Sequence, residues 1–340
     1  MNSGKKGWRE VTQESASTIL SDHKPMNRLY AETALSLGLR VFSCADMNLL
    51  RIESSTQTEY IQGSAIALNH QSGNRLSKKK QVTNFLLEDM GVIPEWTFMT
   101  KKQYEKDGLT RIEGLPFPLI VKPTSELQGN GVIVNLQTSE ELEAALEKSF
   151  ETYSEVIIQE FVGGLKEFRV TVLNGELLGV LERVPAYVTG NGQSTIAELI
   201  EVKNIERAAV TDIKLKPIVL DDELHRKLAE QELTIGSIPA NGEDVRVKGV
   251  CSMSAGGEIF DVTDIIAPEN VAIAVEAAQR IQLRIAGIDF ICEDISLPLT
   301  QQRGGILEVN VDPDIAMHHY PSKGESRDIA GPSLKALFNL

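Results

Sequence analysis

The stretch FRVTVLNGELLGVLERV, residues 168 to 184, constrains the fold more than any other part of the chain. Two apolar runs flank Asn174-Gly175, a dipeptide that accepts the positive φ angles of a two-residue hairpin turn. An antiparallel strand pair is therefore built in. Further strand-length apolar runs follow the same pattern: FPLIVKP (117–123), GVIVNL (131–136), EVIIQEFV (155–162), GIDFICED (287–294) and GGILEVN (304–310). Between them lie helical signals. SKKKQVTNFLLEDMG (77–91) places Val82, Phe85, Leu86 and Met90 near helical spacing, with Gly91 as its stop. Thr138 with Glu141 and Thr195 with Glu198 read as capping boxes, the first opening a helix whose face carries Leu142, Leu146 and Phe150. A helix opening at Pro268 presents Val271, Val275, Ala278 and Ile281. Residues 26–44 read as a helix turning at Gly38 into a short strand, and residues 58–74 as strand-like pieces and turns. Residues 245–263 read as a hairpin around Gly256-Gly257. There is no internal repeat, low-complexity tract or flexible linker, and the expected class is α+β.

Composition narrows the function. At 340 residues, two or three packed subdomains are expected. Hydrophobic residues at 42% and charged residues at 24% are ordinary for a globular chain. The net charge of −14 argues against a general nucleic-acid binder, which needs a basic face, although a locally basic pocket is compatible with it. No apolar run reaches the length of a membrane span, and the first residues lack a signal-peptide core, so neither a membrane nor export is expected and the cytoplasm is the default. Cys44, Cys251 and Cys292 are far apart and odd in number, which predicts three buried free thiols rather than disulfides or zinc ligands.

The chemistry is not that of the common compact motifs. There is no P-loop, no G-x-S-x-G elbow and no H-E-x-x-H, and of the five histidines only His318 and His319 lie close together. What stands out is polar residues inside apolar strands. Glu308 and Asn310 alternate with Leu307 and Val309, so they share one strand face. A carboxylate and an amide oxygen there suit a hard divalent cation, and equally suit a half-exposed edge strand. Asp289 lies between Ile288 and Phe290, where a buried carboxylate needs partners. Lys122 closes an apolar strand, either reaching solvent or aimed at phosphate. Gly129 and Gly131 in GNGV allow close backbone approach to a phosphate, though most such turns are only turns. Glu160 and Glu167 flank a Gly-Gly turn, where solvated loop charges are the simpler reading.

The order of these features, with Lys80 at the start of a helix, resembles the ATP-grasp superfamily of carboxylate–amine ligases. Longer stretches carry the resemblance: YIQGS with SKKKQVTNFLLEDMGVIPEW, ERVPAYVTGNGQSTIAELIEVKN, SMSAGGEIFDVTDIIAPENV, AGIDFICEDISLPL and ILEVNVDPDIAMH. They are similar to the ATP-grasp part of cyanophycin synthetases and bifunctional glutathione synthetases, from about Tyr60 to the end. The resemblance implies a pre-ATP-grasp region over 1–75 and an ATP-grasp domain over 76–340, with two α+β subdomains clamping ATP. It assigns Lys80 and Lys122 to the phosphates, Gly129 and Gly131 to the loop over them, and Glu160 with the backbone of Phe161 and Val162 to the adenine edge. Glu167 goes to the ribose, and Asp289, Glu308 and Asn310 to Mg²⁺. Lys248, where relatives usually carry arginine, is the candidate cation over the transferred phosphoryl group, and Arg169 and Arg183 are candidate substrate anchors or structural ion pairs.

The implied reaction is ADP-forming amide synthesis between an amino-acid or peptide carboxylate and an amine, through an acyl phosphate. A carboxylate kinase or thioester former of the same fold, and a non-catalytic nucleotide-binding regulator, are the alternatives. The expected partners are the small acid and amine, with a homo-oligomer as the default assembly. The loop SELQGNGV and the stretch PDIAMH depart from the relatives' pattern, Asp314 and Ala316 replacing a glycine and an arginine. The same reaction on a different acid or amine is the expectation from these changes.

Overall fold

The computed structural model describes residues 7–112, 114–124, 130–210, 213 and 215–340. The chain is α+β and divides into two compact units that are interleaved in sequence: residues 1–67, 179–263 and 314–340 in one, and 68–178 with 264–313 in the other. Among the described residues no helix is long and apolar enough to cross a membrane.

In the first unit, strands Arg9–Val11, Arg40–Cys44, Leu49–Glu53 and Thr58–Gln62 form an antiparallel sheet in chain order. The helix Pro25–Ser36 opens on a proline, whose missing N–H costs nothing at a helix start, and buries Leu29, Tyr30, Ala31 and Ala34. It packs beside the helix Ala330–Phe338. The rest of this unit gathers around Val188, Ile196, Ile200, Leu224, Leu228 and Val245. Its helix Ile196–Ala209 starts in a complete Thr195–Glu198 capping box.

The hairpin expected around Gly256-Gly257 does not form. Asp244–Arg246 pairs instead with Tyr187–Thr189, and Glu258–Asp261 pairs with the Leu181–Val184 part of another strand. Burial decides this: Val245 and Val247 are drawn into the cluster with Ile196 and Leu224, which separates the two arms. Of the three cysteines, Cys44 and Cys292 are buried thiols, whereas Cys251 is only half-buried.

The second unit carries a four-stranded antiparallel sheet in the order Trp96–Thr100, Glu155–Glu160, Leu119–Pro123, Ile133–Leu136. Helix Ser139–Thr152 covers it, burying Leu142, Leu146 and Phe150 against Val121, Val156 and Ile158. At its start Thr138 caps the Glu141 N–H, but the Glu141 carboxylate accepts from the Gln137 N–H, one residue before the cap. A second antiparallel group holds Lys166–Leu173, Ile285–Cys292 and Gly304–Asn310, with Ile285–Cys292 central. Asn174 (φ +50°) and Gly175 (φ +87°) make the two-residue turn that starts the next strand.

Helix Pro268–Arg280 packs by Ala274, Ala277 and Ala278, while the expected Val271 and Val275 are only half-buried. Small residues let it lie close to the strand Lys166–Leu173 beneath. Residues 71–74, the end of the stretch expected as strand-like pieces and turns, instead begin a helix, Gln71–Ser77. It runs close enough to residues 281–283 that a Cβ on Gly73 would sit 2.5 Å from the Gln282 carbonyl oxygen. Leu146 is fully buried in this unit, so Leu146→Ala should cost about 3 kcal/mol in urea denaturation followed by circular dichroism. A loss below about 1 kcal/mol would show that its surroundings collapse into the cavity.

Candidate active site

Alternation along three adjacent strands places the polar residues of the second unit together. Asp289 stands opposite Arg169 on one side and opposite Glu308 on the other, with Gly287 opposite Asn310. The ladder slips by one residue between Asp289 and Phe290, so Phe290 pairs with Ile306 and Leu307 has no cross-strand partner. The slip puts Glu308 level with Asp289 while Ile306 faces with Phe290 into the core.

Asp289 is 9% exposed and Arg169 7%, so each charge needs the other. Arg169 grips Asp289 bidentately, Nε to Oδ1 and NH2 to Oδ2, the latter at 3.0 Å. Gly287 makes room for this: a Cβ there would stand 2.8 Å from Arg169 Cδ. The Asn310 Nδ2 amide donates to Asp289 Oδ2 at 3.2 Å, which turns its carbonyl oxygen away from the pair. Lys80 Nζ lies 3.1 Å from Glu308 Oε1. The Ser77 hydroxyl donates to the Val309 carbonyl at 2.7 Å and so anchors the end of the helix Gln71–Ser77, three residues before Lys80, on this strand.

Lys122 is nearly buried, and its Nζ donates to Gln159 Oε1 at 2.5 Å. Gln159 is oriented in turn by its own N–H, which donates to the Pro94 carbonyl at 3.2 Å. Among the described residues no carboxylate reaches Lys122 within ion-pair distance. Burial, then the neighbouring Lys80 charge, lowers its pKa to about 8, with Glu308 opposing. A desolvated cation beside a second cation is an anion-binding arrangement.

The remaining candidates fall as follows. Glu160 ends its strand; its N–H bonds the Glu95 carbonyl, and the Phe161 N–H bonds Pro118, so that N–H of Phe161 is committed within the protein. Val162 is buried, and Glu167 shares the strand face of Arg169. Gly131 (φ +70°) lies against Tyr153 and Pro123, where a side chain would collide. Gly129, Glu126 and Leu127 lie outside the described residues. Arg183 and Lys248 belong to the first unit. Lys248, 2% exposed, binds Asp221 Oδ1 at 2.5 Å, with Glu223 at 3.6 Å. Hydrogen bonding from Lys248 holds the Asp221 carboxyl below its usual pKa.

Sequence reasoning missed Gln159 and Asp312. Gln159 was visible as a lone amide inside EVIIQEFV. Asp312, in the left-handed region at φ +50°, has Oδ1 buried without a hydrogen-bond partner among the described residues. Burial raises its pKa and Lys78 opposes.

The oxygen set of Asp289, Glu308 and Asn310 fits Mg²⁺ by its chemistry. All three donors are hard, and two carboxylates suffice because Mg²⁺ completes its shell with water and phosphate oxygens.

One antiparallel sheet carrying Lys122 and a second carrying Asp289, Glu308 and Asn310, with Lys80 at the start of a helix, are the ATP-grasp fold. Residues 86–231 match the family model described as D-ala D-ala ligase C-terminus. The chain is 35% identical to cyanophycin synthetase of Trichormus variabilis over 78% of its own length and 30% of that protein. It is 31% identical to the glutathione biosynthesis bifunctional protein of Listeria innocua over 98% of its length and 44% of that protein. A bifunctional glutathione synthetase structure from Pasteurella multocida superposes with a TM-score of 0.73 at 27% identity, over 94% of this chain and 44% of that one. The chain thus spans less than half the length of these relatives.

Removing one partner of the buried pair isolates a charge. Arg169→Met should cost about 3–5 kcal/mol in chemical denaturation, and adding Asp289→Leu should recover most of it. A loss under about 1 kcal/mol in the single variant would mean that Asp289 is satisfied without Arg169.

Proposed function

We propose that this chain is an ATP-dependent, ADP-forming ligase that joins the carboxylate of an amino acid or short peptide to an amine. The observation that carries the reading is the buried Lys122, without a carboxylate partner among the described residues, beside Lys80, which reaches Glu308 on the strand that pairs with that of Asp289. Two cations attract the triphosphate, and the oxygen set would hold Mg²⁺ against it. Bound there, Mg²⁺ would screen the charge that builds on the transferred phosphoryl group.

The chemistry balances in two steps. A substrate carboxylate oxygen attacks the γ-phosphorus, ADP leaves, and an acyl phosphate results. The amine then attacks the acyl carbon, phosphate leaves, and the amine's proton passes to solvent or base. In this scheme Lys80 and Lys122 stabilise phosphate charge, and Gln159 keeps the Lys122 ammonium aimed. By the resemblance Glu160, Val162 and Glu167 are assigned to the nucleoside end, with Phe161 able to offer only its carbonyl because its N–H bonds Pro118. Lys248, Arg169 and Arg183 have different standing. Arg169 serves by holding Asp289, and Lys248 has to exchange Asp221 for phosphate to take part directly. The relatives' names, cyanophycin synthetase and bifunctional glutathione synthetase, favour a ligase over a carboxylate kinase or a regulatory nucleotide binder.

Substrate-dependent ADP release, with acids and amines tried singly and in pairs and the products weighed, tests the reaction. Release that needs one acid and one amine, with a product mass equal to their sum less water, is the expected result. Release unchanged by any amine would point to a carboxylate kinase. Asn310→Ala should lower turnover at limiting Mg²⁺ and recover partly at high Mg²⁺; full activity at limiting Mg²⁺ would remove Asn310 from the metal site.

The Lys122 pKa makes a separate prediction. Protonated Lys122 binds phosphate, and in the free protein that proton is lost near pH 8. ATP affinity should therefore be flat below pH 8 and fall above it. Lys122→Ala should weaken binding about 10- to 100-fold and remove that slope. A slope that persists in Lys122→Ala would assign it to another group. For stability the sign is opposite. The unfolded chain holds this proton up to about pH 10.4, so between about pH 8 and that value raising the pH stabilises the fold through this residue.

A further inference from the structure

The first unit contains a cavity of about 490 Å³, within the range of about 300–1,000 Å³ of small-molecule sites. One wall is the last turns of helix Ile196–Ala209, bringing Lys203 and Arg207. Another is the segment from His319 to Ser326. Apolar surface comes from Val210, Ile213, Leu215, Tyr320 and Pro321.

The charges inside are not all balanced. Lys203 Nζ lies 2.6 Å from Glu258 Oε1, donates to the Tyr187 carbonyl at 2.6 Å, and stacks over the Tyr187 ring. Burial and the Glu258 carboxylate push the Tyr187 phenol up to about 12, so it stays neutral. His319 is also neutral. Its Nε2 accepts the Ile329 N–H at 3.1 Å, and burial lowers its pKa against the pull of Asp328. Lys203 and Glu258 cancel one another.

Arg207 is different. It is 5% exposed, yet its acceptors are all backbone carbonyls: Lys216 from Nε at 2.8 Å, Gly257 from NH1 at 3.4 Å and Met253 from NH2 at 3.4 Å. A guanidinium has five N–H donors, so two have no protein acceptor among the described residues. Carbonyl dipoles do not neutralise a full charge, and a buried unpaired cation is costly. Burial lowers its pKa, and the field of Glu258, already paired with Lys203, opposes. Glu206 is exposed on the rim, where water screens it.

We propose that this cavity binds the carboxylate of an apolar amino acid or short peptide, with Arg207 as its counter-charge. One unbalanced positive charge beside two carboxylates suits a monoanion better than a phosphate, whose second charge would face Glu258 uncompensated. The guanidinium fork matches a planar carboxylate, and the apolar wall takes the rest of the ligand. The proposal rests on the ligase reading only for the choice of amino acids as ligands; binding is expected without nucleotide.

The test is calorimetric titration of the full chain, free of ATP and Mg²⁺, with L-leucine, N-acetyl-L-leucine and L-leucinamide. The two carboxylates should bind, and the amide at least tenfold more weakly. Arg207→Met should weaken N-acetyl-L-leucine at least tenfold. Because Arg207 also ties three loop carbonyls, Val210→Trp at the exposed helix end provides a second variant, filling the mouth and giving a similar loss. Equal binding of the amide, displacement by inorganic phosphate, no binding of either carboxylate, or affinity unchanged in Val210→Trp would each overturn the proposal. ADP release measured separately tells its failure from failure of the ligase reading.

Discussion

The bidentate pair between Arg169 and Asp289 is the interaction on which the acidic half of the site depends. Asp289 occupies the middle strand of three and is nearly buried, so its carboxylate needs a partner there. Arg169, directly across the ladder, is that partner and fixes the plane of the carboxylate. Asn310 then has one orientation that satisfies its amide, and Glu308 stands level with the pair. The face proposed to bind a cation is thus held in place by a cation supplied by the protein, and Gly287 is the residue whose missing side chain allows it.

The buried cations of the molecule sort by their partners. Lys248 is compensated by Asp221 and Glu223, and Arg169 by Asp289. These are complete within the protein. Lys122 meets an amide oxygen and Arg207 meets carbonyls, neither of which cancels a unit charge. The low pKa of Lys122 shows the cost of keeping it so. A fold retains such groups when a ligand supplies the missing charge, and the same logic leads to a phosphate at one and a carboxylate at the other.

Local signals were legible where one residue and its neighbours decide the outcome. Asn174-Gly175 made its turn, Thr195 and Glu198 their capping box, and Pro268 its helix start. The shared face of Glu308 and Asn310 followed from the two-residue period of a strand. The Gly256-Gly257 turn was misread because the pairing of its arms depends on distant Val188 and Ile196. The face of helix Pro268–Arg280 was misplaced toward its valines because close approach to a strand favours Ala274 and Ala277.

By itself, then, the sequence determined the α+β class and most element starts and stops, and it singled out the polar residues set inside apolar strands, because these rest on dihedral preference and periodicity within a few positions. Tertiary structure decided which of those residues meet. That Asp289 stands between Arg169 and Glu308 depends on strand order and on the one-residue slip at Leu307. That Lys122 meets Gln159 and, among the described residues, no carboxylate depends on which strand lies beside it. Charge compensation is set by distances across the sheet, and those distances appear only when strands remote in sequence are packed side by side.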